Sequence, residues 1–97
     1  MLKMLINFDE ERIKKEYDVD IEEIYDFIEE VVLDENLFVD KKGIYINKGE
    51  DEEDIFSFMI VASILADRDW IIFAKEWLWY EGSDEAENLL DTFKIRQ

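Results

Sequence analysis

The sequence predicts a single small α+β domain, mostly helical, with a minor antiparallel sheet that is a β-hairpin or three strands. Three observations predict it: alternating apolar residues at the start of the chain, two short β-prone runs joined by a glycine-containing turn, and apolar residues at three- and four-residue steps elsewhere. Ninety-seven residues are enough for one hydrophobic core, and with no proline and no low-complexity linker nothing marks a boundary within residues 1–97.

Leu2, Met4, Ile6 and Phe8 stand on alternate positions, as in a half-buried strand, with Leu5 interrupting the pattern. Asn7 or Asp9 can then cap a short helix from Glu10 to Glu16, whose acidic start and Lys14, Lys15 end suit the helix dipole. Asp20 followed by Glu23 resembles a capping box, and Ile21, Ile24, Tyr25, Ile28, Val31 and Val32 recur at helical spacing. Next, LFVDKKGIYIN reads as a hairpin of Leu37 to Val39 with Ile44 to Ile46; a lone hairpin is marginal in water, so the first segment is expected as its third strand.

The acidic run GEDEED leads into a helix from Glu52 to Ala66 that leaves little polar face, which predicts a central helix buried on most sides. Asp69 can cap a further helix from Trp70 to Glu81, with Trp70, Phe73, Ala74, Trp77 and Leu78 on one face and Gly82 at its end. Ser83 can open a last helix carrying Leu89, Leu90 and Phe93.

The apolar fraction of 48% exceeds what disordered acidic tails carry, so the chain is expected to fold. It holds 27 acidic and 11 basic residues, a formal charge of −16. Self-repulsion of this size predicts that moderate NaCl raises the melting temperature; a steady fall with added salt would contradict it. The charge also argues against direct binding to nucleic acid or to an anionic membrane, since both draw affinity from lysine and arginine, and it points to basic partners. No signal peptide is read in MLKMLINF, and the longest nearly apolar run, Ile55 to Ala66, is short of a bilayer span, so a soluble cytoplasmic protein is expected.

With no histidine and no cysteine, histidine-based triads, thiolate catalysis and His/Cys metal sites are excluded, and three scattered glycines form no phosphate-binding loop. A paired-carboxylate glycosidase would need a cleft that a chain of this length has little wall to build. DENLFVDKKGIY does not hold the EF-hand ligands in register, and Asp40-Lys41-Lys42 has a metal-nuclease spacing on a predicted turn in a protein that would repel the substrate. The expectation is therefore a protein that is not an enzyme and holds no cofactor.

From Glu16 to Asp40 the chain carries eleven carboxylates and no lysine or arginine. On the second helix Glu22, Glu23, Asp26, Glu29 and Glu30 share the face opposite the apolar one, about one charge per 2.4 Å of helix axis, against about one per 1.7 Å along duplex DNA. A second cluster, Glu50, Asp51, Glu52, Glu53 and Asp54, repeats the sign. Charge runs usually just face water, but this density without interspersed lysine also matches what a phosphate-binding groove accepts, arginine forks pairing with carboxylates as with phosphates. Ile72 and Trp79 would lie together on the side of the Trp70–Glu81 helix opposite Trp70 and Trp77, as a hydrophobic anchor if exposed or as core if covered; an adaptor binding through this patch is the alternative reading.

MLKMLINFDEERI and DWIIFAKEWLWYEGSDE, at the two ends, resemble small acidic proteins of phages and conjugative elements of Gram-positive bacteria. Such elements also carry anti-CRISPR and other anti-defence proteins, some of which mimic nucleic acid. The resemblance implies a setting in which charge mimicry makes sense, and it assigns no functional residues; the acidic surface then leads to the expectation of a basic nucleic-acid-binding partner, a CRISPR effector or a restriction nuclease.

Overall fold

The alternation at the start of the chain makes β1 (Leu2–Phe8) the middle strand of a five-stranded antiparallel sheet, ordered β2–β3–β1–β4–β5. The computed structural model describes residues 1–49, 51–82 and 85–96. Leu2, Met4, Ile6 and Phe8 are buried on one face; Lys3, Leu5 and Asn7 lie half-exposed on the other. β2 (Phe38–Lys41) and β3 (Ile44–Asn47) form the expected hairpin, and β3 pairs with β1, with Met4 opposite Tyr45. Gly43 turns the hairpin at φ +86°, and a Cβ there would stand 2.7 Å from the Ile6 carbonyl oxygen, so the turn requires glycine.

The predicted Trp70–Glu81 helix is overturned. Helical geometry lasts only through a 3₁₀ turn at Asp69–Phe73, after which β4 (Ala74–Glu81) runs antiparallel to β1 from Leu2 opposite Glu81 to Phe8 opposite Ala74, with a bulge near Lys75. The physical reason is the free edge of β1: a buried central strand needs its backbone groups paired on both sides, and this segment supplies the second partner. Its spacing is compatible with both periods, and the strand period puts Trp77 and Trp79 on the inner face. Gly82, at φ +62°, follows a strand and not a helix. Ser83 lies outside the described residues; the last helical turn, α4 (Leu89–Thr92), follows the short β5 (Glu87–Asn88) and is capped by Asn88, whose side chain accepts from the Leu90 N–H.

Among the helices, α1 (Glu10–Arg12) continues as a π-helical turn, Ile13–Tyr17, with Asp9 as the cap. α2 (Ile21–Asp34) and α3 (Glu52–Ala66) both cover the inner face of the sheet: Phe8 meets Tyr25 of α2 edge-on at 5.7 Å, and Trp79 meets Phe58 of α3 at 6.1 Å between centroids. Ile24, Ile28 and Val32 join Phe58, Val61 and Leu65 in the same core. The outer face of the sheet carries Leu5, Ile44, Ile46, Leu78 and Tyr80, all half-buried, with Phe38 exposed beside them and the Lys3 ammonium 5.3 Å from the Tyr80 ring centroid.

Tyr45 is the buried residue whose chemistry can be followed by pH. Burial pushes its hydroxyl well above the ordinary tyrosine value, against a smaller lowering by the Gly43 N–H, which donates to the Tyr45 oxygen at 3.3 Å. The folded protein thus keeps a proton that the unfolded chain loses near pH ~10, so this stabilisation is complete below that pH and declines above it. Thermal melts from about pH 8 to about pH 12 are expected to show a falling midpoint, with a shallower alkaline slope in Tyr45→Phe. Parallel slopes in the two proteins would contradict the assignment.

A candidate acidic interface

The acidic face of α2 exists because its apolar and acidic residues separate by helical period. At about 100° per residue, Glu22, Glu23, Asp26, Glu29 and Glu30 fall within an arc of about 120°, opposite Ile24, Ile28 and Val32. All five are exposed. The helix start is capped by Asp20, which accepts from the Glu22 N–H at 3.0 Å; the expected box with Glu23 is replaced by this single side-chain bond. The stripe ends at the exposed Leu33.

One carboxylate in the stripe does have a cation. Lys42, from the hairpin turn, forms an ion pair with Glu22, and its ammonium stands 5.4 Å from the Tyr25 ring centroid. The Glu22 hydrogen bond raises the Lys42 pKa above its ordinary value. The stretch from Glu16 to Asp40 lacks basic residues in sequence, but folding brings this one across. Arg12 likewise pairs with Glu16 at 2.7 Å, and the Arg68 guanidinium carbon stands 4.5 Å from the Phe27 ring centroid.

The second cluster divides into structural and free carboxylates. Asp51 caps α3, accepting from the Asp54 N–H at 3.0 Å, while the Asp54 side chain accepts from the Asp51 N–H at 3.3 Å, a reciprocal capping box. Asp54 also accepts from Asn47 Nδ2 at 2.6 Å, tying the end of β3 to the start of α3, and it is half-buried. Glu52 and Glu53 are exposed, and Glu50 lies outside the described residues. Because α2 and α3 cover the same face of the sheet, the α2 stripe and the described carboxylates Glu52 and Glu53 belong to the helical side of the molecule, and Glu35 at the end of α2 shares a groove with Glu52 and Glu53.

Asp54→Ala is expected to destabilise the protein by about 1–2 kcal/mol, the scale of a lost cap and its reciprocal bond. Glu53→Ala should be nearly neutral. Chemical denaturation of both variants measures this; equal midpoints would show that Asp54 is as free as Glu53.

The reading of Ile72 and Trp79 as one patch, exposed anchor or covered core, depended on a shared helix that does not form. Ile72, exposed, belongs to the 3₁₀ turn; Trp79, half-buried, belongs to β4 and packs on Phe58. The expectation that α3 is buried on most sides is also corrected: Phe56, Met59 and Ile64 are exposed, because α2 and the sheet cover only the face carrying Phe58, Val61, Ala62 and Leu65. The apolar run of α3 was the signal for this surface, but periodicity cannot say which side of an all-round apolar helix stays uncovered.

Among the described residues no group of three carboxylates gathers closely enough to hold a metal ion, and no helix is long and apolar enough to cross a membrane. In comparisons of the whole chain, no protein-family model, no curated protein and no solved structure matches it.

Proposed function

We propose that this chain is a non-enzymatic inhibitor that mimics nucleic acid and occupies the phosphate-binding groove of a bacterial defence nuclease, of the CRISPR-effector or restriction class. The observation that supports this reading is the exposed α2 stripe, five carboxylates on one arc with a single lysine paired to them. Side chains that bind phosphates by bidentate, charge-assisted bonds accept carboxylates in the same geometry. Glu52 and Glu53 extend the charge on the same side of the molecule. The stripe is short, spanning Glu22 to Glu30 of one helix, so it would cover a few phosphates of a groove and exclude the substrate by occupancy, with no chemistry required of the inhibitor.

The experiment is capture from a Gram-positive host lysate with the tagged protein, with and without nuclease digestion, eluted by a salt gradient and followed by displacement with duplex DNA. A nucleic-acid enzyme that elutes at intermediate salt, persists after digestion and is displaced by DNA is the expected result. A dominant partner that survives high salt, or none above the background of basic proteins, would refute the proposal.

A further inference from the structure

We infer that the uncovered face of α3 is a docking site for a basic amphipathic helix of a protein partner. This inference rests on the apolar face of α3 and not on the α2 stripe that carries the mimicry reading, so it can fail separately from it. Phe56 is 61% exposed and Met59 is 50% exposed, and with Ile60 and the exposed Ile64 they follow one another at helical spacing along the solvent side of α3. A helix that is apolar all round is expected to be covered all round, and here one face is left to water.

Beside this face a groove of about 540 Å³ is lined by Glu35, Glu52, Glu53, Phe56, Ser57 and Ile60. Phe56 and Ile60 make part of its lining apolar, and three carboxylates, Glu35 from the end of α2 with Glu52 and Glu53 from the start of α3, line it as well. That combination selects the occupant. An amphipathic helix places apolar residues at three- and four-residue steps against Phe56, Met59 and Ile60, while lysines or arginines on its flanks meet Glu35, Glu52 and Glu53. A second copy of this chain is disfavoured, because α3 contains no lysine or arginine and pairing two such faces brings their carboxylates together in a molecule of formal charge −16.

The probe is a synthetic peptide of leucine and lysine at helical spacing, compared with a scrambled peptide of the same composition, so that overall charge cancels in the ratio of affinities. Fluorescence anisotropy is expected to show the amphipathic peptide binding about 10-fold or more tighter than the scramble, consistent with burial of two large apolar side chains. Amide chemical shifts in the unaltered protein should move along α3. Phe56→Ser with Met59→Ser should remove the ratio without lowering the melting temperature, since both side chains are exposed, whereas Glu22→Lys with Asp26→Lys and Glu30→Lys should weaken both peptides and keep the ratio. Equal affinity for the two peptides, shifts confined to α2, or a ratio unchanged by the α3 variant would each overturn the inference. So would a sedimenting dimer that the α3 variant converts to monomer, which would assign the face to a second copy.

Discussion

Trp77→Ala is expected to cost about 3–5 kcal/mol, the range for removing a large aromatic side chain from a packed interior. Trp77 has no exposed surface, lies opposite Ile6 across the β1–β4 ladder and stacks on Phe93 at 5.4 Å with the rings 16° from parallel. Its removal therefore opens a cavity between the central strand and the last helical turn, and loosens the attachment of α4. For a domain of this size each kcal/mol lowers the melting temperature by about 4–8 °C, so the variant should be largely unfolded near physiological temperature if the native stability is at the lower end of the usual range. Trp77→Phe is the informative partner. Among the described residues the Trp77 indole N–H has no acceptor, so phenylalanine keeps most of the packing while removing an unpaired buried donor. It should melt much closer to the unaltered protein than alanine does, and two variants with the same midpoint would show that ring packing at this position contributes little.

The second large effect concerns binding. Under the mimicry proposal, reversing Glu22, Asp26 and Glu30 to lysine would replace attraction with repulsion at three points of one stripe, and partner affinity is expected to fall about 100-fold or more, with inhibition abolished. All three side chains are exposed, so circular dichroism and the melting temperature should change little. Glu22→Lys would face Lys42 in place of the present ion pair, a small cost at an exposed site. The necessary control reverses Glu11, Glu85 and Asp91, exposed residues outside α2 and α3, which changes net charge equally. If both triple variants lose affinity alike, the partner senses net charge and the α2 stripe is not the binding surface. Unchanged inhibition by the α2 variant would sink the mimicry proposal outright.

The variants separate the two proposed surfaces on the helical side. Binding through α2 should weaken with salt, because exposed charge pairs are screened over about 8–10 Å at physiological ionic strength. Binding through α3 should keep an apolar component that salt does not remove.

The sequence alone determined the elements whose hydrophobic period is unambiguous. Leu2, Met4, Ile6 and Phe8 alternate as a half-buried strand does, with Leu5 the one interruption, α2 shows its buried and acidic faces directly, and the acidic run GEDEED marks the start of α3. The acidic stripe was legible for the same reason, since α2 has a clear period and an exposed side follows from it. Tertiary structure decided what periodicity leaves degenerate. In AKEWLWYE a helix and a strand both bury Trp77, and the unpaired edge of β1 selected the strand, separating Ile72 from Trp79. On α3 apolar residues occupy every side, so only the positions of the sheet and α2 determine that Phe56 and Met59 meet water. Lys42 reaches Glu22 across twenty residues of chain, and Asp54 turns inward to bond Asn47. Contacts of this kind depend on where the elements come together, which local sequence does not encode.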